Sequence, residues 1–251
     1  MRLVAIAALA ILTGCATTAA QKPLSTKPVE LWDASRNRQI PIELYFPAQQ
    51  QNCAREKPCP VAFLSQGYGL RHTDYSFIAN ALAGSGYLVV AIQHDLPTDP
   101  AIVKTGDLFA NRTPMWQRGA RNLRFVRDTL AITYTGFDWP NLVLVGHSNG
   151  GDLSARALRE SPTLAATLVT LDNRRFPLPR TPSIRVLSIR GSDFAADAGV
   201  LPTAQEMGAD TCITTIADSR HNEMNDHGPA DLQAKINAII VKFLEDGRCE
   251  A

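Results

Sequence analysis

Ser148 stands in the run Gly146-His147-Ser148-Asn149-Gly150, directly behind the apolar stretch Asn141-Leu142-Val143-Leu144-Val145. The pattern G-x-S-x-G, at the point where a strand gives way to a helix, forces the serine onto a sharp turn. On such a turn the hydroxyl points outward, and side chains larger than hydrogen at the flanking positions would collide. The same turn sets the first amides of the following helix beside the serine, where they can stabilise a developing oxyanion. The chemistry on offer is nucleophilic attack by a serine oxygen. The pattern alone occurs by chance in many proteins, so its weight comes from its position and from the residues downstream of it.

A serine hydroxyl is a weak nucleophile until a neutral imidazole takes its proton. A carboxylate must then orient that imidazole and stabilise the imidazolium. Both types occur after Ser148 in the chain. Asp193 comes just after Ile184-Arg185-Val186-Leu187-Ser188-Ile189-Arg190-Gly191-Ser192, with Asp197 slightly beyond and Asp172 at the end of the preceding apolar run. Asp193 is the favoured acid, with Asp197 and Asp172 as alternatives, because aspartates at strand ends are also ordinary turn residues. The histidines are His72, His94, His147, His221 and His227. His221, joined to Thr214-Thr215-Ile216 by a short link, is favoured over His227, which abuts Gly228-Pro229 and suits a helix start. His147 reads as a packing neighbour of the serine, while His72 and His94 are placed to line a pocket.

These residues must be positioned by alternating elements. Val29 to Asp33 and Ile40 to Phe46 read as a β-hairpin. Val61 to Leu64 is a buried-type strand, and Asp74 is placed to cap a helix through Phe77, Ile78 and Leu82. Tyr87 to Ile92 is a continuous apolar strand. Trp116, Ala120, Leu123, Val126 and Leu130 recur at helical spacing, and Leu153, Ala157 and Leu158 mark the helix after the elbow, stopped by Pro162. Further strands lie at Ala166–Leu171, Ile184–Ile189 and Cys212–Ile216, and a last helix opens at Pro229. Asp95 to Pro114 is the longest irregular segment and is placed to cap the site. Strands alternating with helices predict an α/β fold with a mostly parallel central sheet covered on both faces, and sites beyond the carboxyl ends of its strands.

The chain order serine, acid, histidine resembles that of α/β-hydrolase-fold enzymes. The resemblance spans about residues 29 to 246, and the piece from Gln66 to Asp95 is similar to dienelactone-hydrolase-like and acetylhydrolase-like members. It implies Ser148 as nucleophile, His221 as general base and then acid, and Asp193 as orienting acid. By the same analogy the oxyanion donors are the amides of Asn149 and Tyr68, with Gln66 standing where many relatives carry histidine. Only about a dozen residues separate Asp172 from Ile184, where many lipases place a lid, so no large lid domain is expected. Arg174 and Arg175 in that interval suit either a substrate carboxylate or a solvated turn paired with surface acids. The implied activity is hydrolysis of carboxylic esters through an acyl-enzyme, with no cofactor and no metal. Thioester, amide and short-peptide hydrolysis use the same residues. A catalytically silent surface lipoprotein acting as a binding module is the reading from another class.

The N-terminus carries an address. Arg2 precedes the apolar run Leu3 to Leu12, which is too short to span a bilayer. It ends in Leu12-Thr13-Gly14-Cys15, which resembles the lipobox of bacterial lipoproteins. Cleavage before Cys15 would leave that cysteine lipidated (an acyl chain such as palmitate). The alternative is an ordinary secretory signal cut near Ala16 or Ala20. Ala16 is not the aspartate of the inner-membrane retention signal, so an outer-membrane location facing the periplasm is expected. The expected divisions are residues 1–14 as signal peptide, 15–28 as flexible tether and 29–251 as one domain. The remaining cysteines, Cys53, Cys59, Cys212 and Cys249, are disulfide candidates with their pairing open, and the C-x5-C spacing without a nearby histidine argues against zinc. With 25 basic and 24 acidic residues the chain offers no basic stripe for nucleic acid. A small-molecule ester is the expected partner, and membrane contact is expected only through the lipid. Oligomeric state is not legible.

Overall fold

Alternation along the strands decides the architecture. Phe63, Val90 and Leu144 face one side of a sheet, and their chain neighbours Leu64, Ala91 and Val145 face the other. Both sets are buried, so both faces must be covered. The computed structural model describes residues 24–247 and shows how.

Eight strands form one sheet: β1 (Thr26–Asp33), β2 (Arg38–Tyr45), β3 (Cys59–Ser65), β4 (Leu88–Ile92), β5 (Phe137–His147), β6 (Thr167–Leu171), β7 (Arg185–Arg190) and β8 (Thr211–Thr215). Their spatial order is β1-β2-β4-β3-β5-β6-β7-β8. β1 and β2 form the expected antiparallel hairpin, β2 runs antiparallel to β4, and every later pair is parallel. The helices are α1 (Ser76–Gly84), α2 (Leu108–Thr133), α3 (Asn149–Glu160) and α4 (Ala230–Asp246). Trp116, Leu123 and Val126 of α2 and Leu153 and Leu158 of α3 pack on the Phe63–Leu144 face. Ile78 and Leu82 of α1 and Ile236, Ile240 and Phe243 of α4 pack on the Leu64–Val145 face. This is the predicted sheet with helices on both faces, and among the described residues no large lid interrupts it.

Three expectations need correction. Thr26 to Pro28 belong to β1 and pair with Tyr45, Leu44 and Glu43, so the body begins inside the segment read as tether. The last third or so of the expected irregular segment, from Leu108, is helical, and Asp107 caps α2 by accepting from the Ala110 amide at 3.0 Å. Pro114 then sits inside the helix past its first turn, so the bond an N–H there would make to the Ala110 carbonyl is forfeited. Asp74 does not cap α1. The Ser76 and Phe77 amides instead donate to the Asp226 carboxylate at 2.8 and 3.1 Å.

Cys53 and Cys59 are disulfide-bonded across the short polar loop before β3. Cys212 lies buried in β8, while Cys15, Cys249 and the signal segment lie outside the described residues. Among the described residues, no helix is long and apolar enough to cross a membrane.

Candidate active site

The elbow is built by close approach. A Cβ on Gly146 would stand 2.4 Å from the Gly150 carbonyl, and one on Gly150 would stand 2.2 Å from the Ser65 carbonyl oxygen. Only glycine lets β5, α3 and the end of β3 meet this tightly. Ser148 itself holds φ 52° and ψ −117°, a strained conformation for a residue with a side chain. It occupies the N-cap of α3, so the Asn149 amide beside it is one of the helix's first N–H groups, which lack an intrahelical acceptor. The Asn149 side chain is fixed separately, its Oδ1 accepting from Trp116 Nε1 at 2.9 Å.

His221 lies in a short 3-10 turn (His221–Glu223) between β8 and α4. Its Nε2 is 2.9 Å from Ser148 Oγ. Its Nδ1 is 2.5 Å from Asp172 Oδ2. His227 stands elsewhere, largely exposed and 4.0 Å from Asp74.

The carboxylate at the imidazole is not the one favoured from the sequence. Asp193 does not meet the imidazole. It is exposed, and its Oδ1 accepts from the His221 backbone amide at 2.9 Å. Asp197 is farther out, 3.9 Å from Arg175 Nε. Asp172 is fully buried at the end of β6, the strand next to β5, and a left-handed φ of 51° turns the chain there. Its Oδ1 faces Arg190 Nη2 at 2.9 Å and the Gly191 amide at 3.2 Å, and its Oδ2 takes Arg174 Nη2 at 3.1 Å besides His221. Burial alone would raise its pKa. The hydrogen bond from His221, the Arg190 charge and the Gly191 amide outweigh it and hold the carboxyl at about 2.

Residues that the sequence reading passed over hold this arrangement. Asp152, one turn along α3 from the serine, is buried, and its Oδ1 accepts from the amides of Arg174, Arg175 and Phe176 at 3.2, 3.0 and 2.9 Å. It ties α3 to the loop that carries Asp172. Its signal was an acid in the first turn of the helix that follows the elbow. Arg190 also donates through Nη1 to the Asn173 carbonyl at 2.6 Å.

Tyr68, the other expected oxyanion contributor, lies in the loop after β3, and its hydroxyl accepts from the Ile102 amide at 3.1 Å. That bond ties the segment before α2 to the loop. A cleft of about 560 Å³ starts at Tyr68 and Gly69 and is lined by His72, Leu96 and Pro97 among others. His94 is instead wholly buried, with Nε2 3.0 Å from Ser65 Oγ. Arg174 lies over the exposed ring of Phe194 at 4.1 Å as well as on Asp172, and Arg175 faces Asp197, so both are engaged by the protein's own groups. Among the described residues, no cluster of three or more His, Cys, Asp or Glu is placed to hold a metal ion.

By sequence the chain matches no protein-family model and no curated protein. By structure it is similar to a ferulic acid esterase from Streptomyces cinnamoneus, with a TM-score of 0.65, 18% identity and 94% of each chain covered. It is also similar to a dienelactone hydrolase from Anabaena variabilis (TM-score 0.62, 14% identity, 88% of this chain and 98% of that one). A predicted CIB-like hydrolase from Thermoplasma acidophilum gives 0.57 at 16% identity over 89% and 100% of the two chains. At such identities the likeness shows the fold, and the fold is that of the α/β-hydrolases.

Proposed function

We propose that this chain is a serine hydrolase that cleaves carboxylic esters through an acyl-enzyme. The observation that carries the proposal is the unbroken line from Ser148 Oγ through the His221 ring to Asp172, at 2.9 and 2.5 Å. In this reading His221 Nε2 takes the serine proton as Oγ bonds to the ester carbonyl carbon. The negative charge that develops on the carbonyl oxygen falls between the Asn149 and Tyr68 amides. His221 then returns its proton to the departing alkoxide, leaving the acyl group on Ser148. Water repeats the sequence in reverse and frees the acid. Asp172 keeps the proton of the resting ring on Nδ1 and so leaves Nε2 free to act as base, and it offsets the charge of the imidazolium.

The fold shared with an esterase and a dienelactone hydrolase supports ester chemistry. Export and lipid attachment through Cys15 belong to the same proposal and rest on the sequence Leu12-Thr13-Gly14-Cys15. The test is p-nitrophenyl ester hydrolysis across acyl lengths from acetate to palmitate, with Ser148→Ala beside the wild type. Turnover should fall by about 10⁴-fold or more in the variant. No turnover by the wild type on any ester would leave the silent binding module as the better reading.

A further inference from the structure

His147 fills the variable position of the elbow and touches three parts of the site at once. Its Nε2 is 3.0 Å from the His221 carbonyl oxygen, and its Nδ1 is 2.7 Å from the Tyr75 hydroxyl. The Tyr75 oxygen in turn accepts from the Gly67 amide at 2.9 Å. Elementary rules place the hydrogens along this line. A carbonyl only accepts, so His147 Nε2 carries a proton. The ring is completely buried, and that burial, helped by repulsion from His221, drives its pKa down to about 3, so the ring is neutral. A neutral ring with hydrogen on Nε2 has a bare Nδ1, so the Tyr75 hydroxyl donates to it. The tyrosine oxygen is then left to accept from Gly67. Each donor meets an acceptor, with none left over.

The packing is equally tight. A Cβ on Gly67 would lie 2.8 Å from His147 Nδ1 and 3.2 Å from the Tyr75 oxygen. The His147 and His221 rings have centroids 4.9 Å apart. Gly67 immediately precedes Tyr68, whose amide the proposed reaction uses.

We infer that His147 and Tyr75 are positioning residues that join the base turn to the oxyanion loop, so that His221 and the Tyr68 amide keep one fixed separation. The inference rests on the proposed esterase reading. Neither residue exchanges a proton with substrate. Their work is to hold the His221 backbone at its carbonyl and the Gln66–Gly67 peptide at its N–H, one residue before the Tyr68 amide. A shift of about 1 Å between base and oxyanion donor is enough to slow acylation about 100-fold. The loss would fall on kcat rather than KM, because the relation is needed in the transition state.

The test compares Tyr75→Phe, His147→Leu and His147→Gln with the wild type on p-nitrophenyl acetate, with melting temperatures measured alongside. Tyr75→Phe should lower kcat about 10- to 100-fold with KM changed by less than about threefold. His147→Leu should lose about 100-fold, and His147→Gln, whose amide offers a donor and an acceptor in similar places, should return to within about fivefold of the wild type. A His147→Gln variant as slow as His147→Leu, or a folded Tyr75→Phe with wild-type kcat, would overturn the inference. Nitrogen-15 NMR of the histidine rings in the full chain gives a readout independent of turnover. His147 should show one neutral form protonated at Nε2, with its Nδ1 signal moved by Tyr75→Phe. Protonation at Nδ1 instead would overturn the arrangement. If the wild type turns over no ester, it is the esterase reading that fails, and the NMR still decides the hydrogen-bond line.

Discussion

A carboxylate taken out of water is unfavourable unless donors surround it, and Asp172 is surrounded: two arginines, one amide and one imidazole meet its two oxygens. That environment separates it from Asp193, which stands in solvent and holds only the His221 backbone. Asp172→Asn should therefore lower kcat/KM by about 10³- to 10⁴-fold, while Asp193→Asn should cost about tenfold. Steady-state kinetics on one ester checks both, and the reverse order would return the acid to Asp193. The meeting of Ser148 with His221 was legible because a glycine-flanked serine behind an apolar run and a histidine after the last strand leave few choices. Which aspartate meets the His221 ring was not legible. Asp172 and Asp193 both come after apolar strands, and nothing in the chain tells which strand end lies nearer the imidazole. The arginines that mark Asp172 come from Arg174, close by in sequence, and Arg190, a strand away.

Elements were read well where burial imposed a period and poorly where a distant group set the boundary. β4 and the buried face of α2 are evident from their apolar spacing. The start of α1 is not, because its amides are capped by Asp226 from the far end of the chain, after Asp74 had offered a local candidate. Asp226→Ala should cost about 1 kcal/mol of stability, and Asp74→Ala should leave the α1 cap intact, as amide exchange at Ser76 and Phe77 would report. The elbow glycines belong to this scale too. Gly150→Ala drives a methyl group into the Ser65 carbonyl and should destabilise the protein by more than about 3 kcal/mol, read from urea unfolding. A Gly150→Ala variant of wild-type stability would contradict the close packing of α3 on β3.

For the molecule as a whole, a sheet buried on both faces was legible from the continuous apolar strands, and the covering helices from their spacing. What that burial does to charge was not. His94 and His147 are wholly buried, and desolvation pushes both down to about 3. In the unfolded chain a histidine titrates near 6.5. Below about pH 6.5 the unfolded chain takes up protons that these two sites refuse, so stability falls as pH drops from there toward 3 and is flat above it. Asp172 acts in a different window. Its folded pKa of about 2 lies below the unfolded value, so its contribution is whole above about pH 4 and is lost as pH falls through 2. Asp95 and Asp152, raised by burial, oppose the histidines. The unfolding free energy from urea titrations should therefore fall below about pH 6.5 with a slope under the two-proton limit of about 2.7 kcal/mol per pH unit. A profile flat through pH 5 would contradict neutral, buried His94 and His147.

The proposed reaction stands on Ser148 being the activated nucleophile. It is tested most directly by treating the folded protein with a fluorophosphonate and mapping the adduct by peptide mass spectrometry. One stoichiometric adduct is expected, on Ser148, forming far more slowly in Asp172→Asn and absent in Ser148→Ala. No adduct on the wild type, or an adduct on another residue, would contradict it.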